Sequence, residues 1–327
     1  MELPQLVSNK KTEGIMEEKV RILSEMLGRP HTPSGGELYY HCPYCNHHKK
    51  KLAINLKKGW HCWVCDKRGK NAYRIVRKFG TYDQRQKWLE LDGRLDLSEF
   101  DKMFAALNDE VQDQVIDLPE EFISLCNRHL PRSSKRAFDY LHSRGITKKD
   151  ILRWKGGYCD KGRYSGRIVI PSFNNNGFIN YFIARSFVGH NKRYLNPPCG
   201  RDIIFNELYM DWDEPVTLVE GVFDALVAGD NSIPLLGSTL REDSKLFQAI
   251  ALNDVPVYLG LDPDADKKTR HMIKSMLKYD IEVYKINLNG CEDIGSMAKH
   301  DFIDRRDDAT IIDHDEFFLI DELRRII

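Results

Sequence analysis

Hydrophobic and polar positions alternate most clearly in Leu52-Ala53-Ile54-Asn55-Leu56. Leu52, Ile54 and Leu56 fall on one face, while Lys51, Asn55 and Lys57 fall on the other, which predicts a short half-buried strand. Elsewhere the apolar positions run together. Thr217-Leu218-Val219 and Val255 to Leu261 are continuous runs, as expected of strands buried on both faces of a parallel sheet. Ile281 to Ile286 reads as the last strand of that sheet. The first run ends in Glu220, Gly221 permits a sharp turn, and a helix carrying Asp224 follows at once. The second runs into Asp262-Pro263-Asp264-Ala265-Asp266. Near the N-terminus, Glu17–Leu27 reads as a short helix closed by Gly28 and Pro30. Residues 81–119 are rich in charge and end in Asp117-Leu118-Pro119, which suits a helical linker. Residues 301–327 mix acids with scattered apolar positions and read as a capping helix or tail.

These elements predict an α/β protein. A chain of 327 residues makes two or three domains with ample core. No apolar run is long enough to span a membrane, and the N-terminus lacks a signal-peptide core. The eight cysteines, without such a signal, predict a reducing cytoplasm, the host's if the chain is phage-encoded. Cys126, Cys159, Cys199 and Cys291 read as isolated thiols.

The other four cysteines form two pairs, Cys42-Pro43-Tyr44-Cys45 and Cys62-Trp63-Val64-Cys65, with sixteen residues between them. Each pair can grip one metal ion from a single turn, and two pairs complete a closed tetrahedral Zn²⁺ site. His41, His47, His48 and His61 flank the pairs, but four thiolates already satisfy the ion. Between Lys49 and Lys78 there are eleven Lys or Arg residues against the single acid Asp66, although the whole chain has no net charge. Such a local patch binds phosphates. Lys51, Lys57 and Trp60 are therefore candidates for single-stranded nucleic acid, with phosphates on the charges and bases on the rings. Trp60 and Trp63 have a second reading, as covers for a core too small to close alone.

Parallel strands deliver their following loops to one edge, where ligands bind. Glu220, Asp224, Asp262 and Asp264 are then placed to converge on one or two Mg²⁺ ions, with Mn²⁺ as an alternative. Such ions take a few carboxylates and leave the remaining positions to water or phosphate.

In this order, zinc ribbon, basic middle and Glu-Gly…Asp-x-Asp segment resemble the replicative DNA primases of bacteria and phages. The C-terminal element is similar to the Toprim fold that primases share with topoisomerases and some nucleases. Several middle segments carry the resemblance: Ile151 to Tyr158, Gly166-Arg167-Ile168-Val169-Ile170-Pro171, Phe182-Ile183-Ala184-Arg185, Arg193-Tyr194-Leu195-Asn196-Pro197 and Ile204 to Tyr209. It covers roughly residues 38–297.

The resemblance implies an N-terminal zinc ribbon (1–80), a helical linker (81–119), a mixed α+β basic domain (120–212) and a Rossmann-like parallel Toprim sheet (213–300), before an acidic tail (301–327). It implies primer RNA synthesis on single-stranded DNA from nucleoside triphosphates, in the company of a replicative helicase and away from membranes. Glu220, Asp262 and Asp264 would be catalytic, with Glu220 either metal ligand or general base. Arg153, Arg167, Arg185, Arg193, Tyr194 and Asn196 would hold nucleotide or template. Asp293 fits the first position of a third acidic motif, whose second position is Gly295 here. The cysteine set departs from the three cysteines and one histidine common in bacterial members and matches a pattern found among phage primases. Two other classes compete. A Toprim nuclease or topoisomerase-like enzyme would not need the middle arginines, and a topoisomerase needs a larger strand-passage body. A non-catalytic zinc-ribbon adaptor would bind DNA and load another protein.

Overall fold

In the computed structural model the described residues are 4–32, 37–69, 71–92, 114–237, 240–261, 266–290 and 294–326. The chain divides into two units, Met1–Asp109 and Glu110–Ile327.

In the first unit, helix α1 (Pro4–Leu27) buries Ile22 and Leu23. It starts well before Glu17, because the preceding residues carry no proline to stop it. It ends at Gly28, whose φ of +82° is the left-handed closure that glycine adopts at least cost. A four-stranded antiparallel sheet follows in the order β1 (Leu38–Tyr40), β2 (Leu52–Asn55), β3 (Gly59–Cys62) and β4 (Arg68–Gly69). Leu52, Ala53 and Ile54 are all buried, since β2 is an inner strand and Ala53 is small enough to be covered on the second face. Leu56 leaves the strand and falls in the turn to β3. Helices α2 (Tyr73–Phe79) and α3 (Tyr82–Asp92) complete the core, where Tyr40, Leu52, Ile54, Ile75, Val76 and Trp88 pack with Ile22 and Leu23. Part of the expected linker is thus helix α3, while residues 93–113 lie outside the described residues.

The second unit carries two sheets. The first is antiparallel, in the order β5 (Phe122–Ser124), β6 (Gly157–Cys159), β7 (Arg167–Phe173) and β8 (Ile179–Ser186). Helices α4 (Ser134–Ser143) and α5 (Lys148–Arg153) lie between β5 and β6 in the chain. Thr147 and Asp150 form a reciprocal capping box at the start of α5. The second sheet has the order β10-β9-β11-β12-β13. Strands β9 (Val216–Val219), β10 (Ser232–Pro234), β11 (Val257–Gly260) and β12 (Val283–Lys285) are parallel, and β13 (Thr310–Ile311) joins β12 antiparallel. All four residues of β9 are buried, as its continuous apolar run requires. Pro234 sits on edge strand β10, where a missing N–H is tolerated. The helices are α6 (Val222–Ala228), α7 (Lys245–Asn253), α8 (Asp266–Lys278), α9 (Lys299–Asp307) and α10 (His314–Ile326).

Both sheets share one core. Ile168, Ile170 and Ile183 of the antiparallel sheet belong to the same buried cluster as Val219, Phe223 and Leu226. The C-terminal segment is more than a capping helix: it forms α9, β13 and α10, because Thr310 and Ile311 pair with the open edge of β12. Among the described residues no helix is long and apolar enough to cross a membrane.

Candidate functional site

Two groups of side chains carry chemistry, one in each unit. In the first unit Cys42 and Cys45 follow β1, while Cys62 ends β3 and Cys65 follows it. Their four Sγ atoms lie within 4.8 Å of one another, at 3.8 Å for Cys42–Cys65 and 3.9 Å for Cys45–Cys62. Four sulfurs bound to Zn²⁺ at about 2.3 Å sit roughly 3.8 Å apart, so the cluster fits that ion.

The two turns are built alike. Asn46 N–H donates to Cys42 O at 2.9 Å, and Asp66 N–H donates to Cys62 O at 3.0 Å. Asn46 and Asp66 both have left-handed φ values, +50° and +57°, which Asn and Asp tolerate better than most residues. Burial raises the Cys42 thiol. At Cys62 burial pulls the same way, but N–H groups of Cys65 and Val64 hold the thiolate and the net shift is downward. Among the described residues no histidine joins this group. His41 Nδ1 faces His47 O instead, and His61 Nε2 bonds Asp66 at 2.7 Å.

Around the cysteines Lys51 and Lys57 are exposed, as nucleic-acid contacts must be, but Trp60 is not. Its indole N–H donates to Asn71 O at 3.1 Å, its ring stacks on Tyr44 at 5.5 Å, and it lies against Gly69. A methyl group on Gly69 would come within 2.7 Å of the indole nitrogen. Trp60 therefore closes the small core and is not open to a base. The ring in solvent is Trp63, 64% exposed, with its edge against His61 at 4.4 Å.

In the second unit Val219 pairs with Gly260, so residues 220 and 261 follow side by side at the C-terminal edge of the parallel sheet. Glu220 is half-buried there. Asp224 uses both carboxylate oxygens. Oδ2 accepts the Gly221 N–H at 2.8 Å, and Oδ1 accepts the Gly295 N–H at 3.0 Å. The first bond secures the start of α6, and the second ties in the short 3-10 turn Ile294–Ser296. Ile294 packs over Gly260. Asp262, Asp264 and Asp293 lie outside the described residues. Glu220 and Asp224 supply hard oxygen donors of the kind that Mg²⁺ takes.

The middle arginines separate into distinct roles. Arg185 is 4% exposed, and among the described residues it has no carboxylate partner. Its Nη1 donates to Tyr194 Oη at 2.7 Å, its guanidinium lies 4.4 Å from the centre of the Phe223 ring, and its Nε has no hydrogen-bond partner. Burial raises the Tyr194 phenol against the pull of Arg185. Arg167, by contrast, is tied to the backbone. It donates to Lys192 O at 2.9 Å and Arg193 O at 3.2 Å, which makes it a brace for that loop and not a phosphate ligand. Asn196 accepts the Ala184 N–H at 3.3 Å and pins the same region. Arg193 is exposed. Arg153 pairs with Asp230 at 3.0 Å in a shallow pocket with Trp154, Tyr209 and Ser232. Ser232 begins β10, at the sheet end opposite Glu220, so Arg153 is not at the carboxylate edge.

One residue that the motifs passed over is Arg144. It lies 5.6 Å from the rings of both Tyr140 and Phe223, and it donates to Gly295 O at 3.4 Å. The spacing Tyr140…Arg144, one helical turn before the left-handed Gly145, was its only signal.

No protein-family model matches the chain. It is 26% identical to the DNA primase of Thermotoga maritima over 196 residues, covering 46% of this chain and 35% of that protein. The chain thus spans about a third of the length of the curated relative it matches. A DnaG primase catalytic domain bound to ssDNA superposes with a TM-score of 0.51 at 17% identity, over 60% of this chain and 77% of that one. This likeness gives the chain the primase catalytic-domain fold over three fifths of its length. The Aquifex aeolicus primase, with its zinc-binding and RNA polymerase domains, matches over 92% of this chain and 86% of that one, at 21% identity and a TM-score of 0.46.

Proposed function

We propose that the chain is a DNA primase, a nucleotidyltransferase that builds short RNA primers on single-stranded DNA from ribonucleoside triphosphates. The observation that carries this reading is Arg185, a buried cation without a carboxylate partner among the described residues, set against Phe223 beside Asp224. A buried charge is costly unless something pairs with it. A triphosphate is the partner that fits a planar fork next to a carboxylate edge. Arg144 adds a second guanidinium over the same ring.

In this scheme Arg185 holds phosphate oxygens and Tyr194 fixes its orientation. Asp224 positions the turn that follows Asp293. Glu220, Asp262, Asp264 and Asp293 would hold Mg²⁺, with Asp224 contributing from any lone pair left free. When bound, Mg²⁺ would neutralise charge as a 3′-hydroxyl attacks the α-phosphorus and pyrophosphate leaves. The four-cysteine cluster holds Zn²⁺ as a structural ion, and its exposed Lys51, Lys57 and Trp63 would contact the template. Action in the cytoplasm beside a replicative helicase follows from the same reading.

The test is incorporation of labelled ribonucleotide on a library of single-stranded templates. The expected result is template-dependent primers from the intact chain, and none from Asp262→Asn or Asp264→Asn, with DNA binding retained. Strand cleavage without incorporation would make it a nuclease. DNA binding with neither activity would make it an adaptor.

A further inference from the structure

The end of the parallel sheet opposite Glu220 carries a shallow pocket of about 280 Å³, open mouth included. Three chain reversals meet there. Arg153 ends α5 and Trp154 caps it, Asn206 and Met210 bracket the 3-10 turn Glu207–Tyr209, and Gly229 closes α6 ahead of Asp230.

Two lining side chains are buried without being satisfied. Asn206 is 5% exposed and Trp154 8%. Asn206 stands in the left-handed region at φ +57°, and its Oδ1 accepts the Phe173 N–H at 3.3 Å. A main-chain N–H can meet only the oxygen end of an amide, so the orientation is fixed and the NH₂ group is left over. Among the described residues that NH₂ group has no acceptor, and neither has the Trp154 indole N–H. Buried N–H groups are nearly always paired, because an unpaired one gives up water for nothing. Neither donor is sealed off, since both residues line the pocket. Asn231, another lining residue, has no such donor to offer: its NH₂ group holds the carbonyls of Asp211, Glu214 and Pro215. At the rim Arg153 Nε lies 3.0 Å from Asp230, and the Nη edge of the fork has no acceptor among the described residues.

We propose that this pocket binds a small monocarboxylic acid. Its carboxylate meets the Arg153 fork, the Asn206 NH₂ and the Trp154 N–H, while its apolar stem lies against Tyr209 and Met210. The unpaired groups of Arg153, Asn206 and Trp154 are all donors, so the ligand must bring acceptors. The single guanidinium is partly neutralised by Asp230, which suits one negative charge better than two. The pocket is smaller than the roughly 300–1,000 Å³ of sites that enclose drug-sized ligands, which excludes a nucleoside triphosphate. It lies away from the carboxylate edge and does not depend on the polymerase reading.

The test is ¹H–¹⁵N NMR of the intact chain labelled at its five tryptophans, titrated with phenylacetate, phenylacetamide or inorganic phosphate. The Trp154 indole signal is the one missing from Trp154→Phe. Phenylacetate should shift that signal alone and saturate with a Kd of about 1 mM. Phenylacetamide keeps the ring and loses the charge, and should bind about 10-fold more weakly. Arg153→Gln should weaken phenylacetate by about 10-fold. Asn206→Asp keeps the acceptor for Phe173 N–H but replaces the NH₂ donor with a negative charge, and should abolish binding. Saturation-transfer signals of phenylacetate give the same comparison where Trp154→Phe fails to fold, and Arg153→Gln decides alone where Asn206→Asp does. No shift at Trp154, an equal response to phenylacetamide, or binding that survives Arg153→Gln unchanged overturns the site. Phosphate binding as tightly as phenylacetate overturns the assignment to an apolar acid. The readout is binding, so an absence of primer synthesis leaves this result standing.

Discussion

Trp60 and Trp63 are three residues apart and face opposite environments. Trp60 is in the core against Gly69, while Trp63 stands in solvent between two cysteines. Trp60→Ala should cost roughly 3–5 kcal/mol of stability in the first unit, read as an earlier unfolding transition. Trp63→Ala should leave that transition within about 0.5 kcal/mol and, where the ring stacks on a base, weaken template binding by about 1–3 kcal/mol in anisotropy titrations. The reverse pattern would return the base platform to Trp60. The cysteines were legible because two i, i+3 pairs have few other uses. The tryptophans were not, because the direction of a ring in a four-residue strand depends on its neighbour. Here that neighbour is Gly69 on β4, seven residues after Cys62 and four after Cys65.

Among the elements, strands β9 and β11 were legible as continuous apolar runs of a parallel sheet. Their neighbour order was not, since register comes from pairing and not from period. The same limit applies to β7 and β8. Arg167 opens β7 and Arg185 nearly closes β8, and because Arg185 pairs with Ile168 the two guanidinium groups fall on opposite faces, one bracing a loop and the other lying against Phe223. Nor did the sequence reveal that Asp224 joins two elements, because its bond to Gly295 spans seventy-one residues. Asp224→Asn keeps the size of the side chain but turns one acceptor into a donor. It should lose one of the two backbone bonds, at a cost of roughly 1.5–3 kcal/mol in the second unit, checked by thermal unfolding. Ribonucleotide incorporation should fall with it, since the turn before Ser296 is then free to shift. Normal stability and activity together would show that the link to Gly295 has no role.

For the whole molecule, each unit draws its buried cluster from its own residues. The four-cysteine cluster lies within the first unit, so removal of its zinc should act on that core. Structural zinc supplies much of the folding free energy of a small domain. Removing Zn²⁺, or Cys62→Ser, should therefore abolish the first unit's thermal transition while the second unit's remains. Calorimetry with and without chelator would test this, and a single transition lost as a whole would mean that the units fold together. Arg185 has a different consequence at this scale. Among the described residues no carboxylate pairs with its buried guanidinium, and a charge held there by Tyr194 and the Phe223 ring contributes less to stability than a well-packed apolar side chain would. Under the proposed function, a bound triphosphate would recover that deficit. The charge would then be a compromise in which resting-state stability is kept low for the sake of binding.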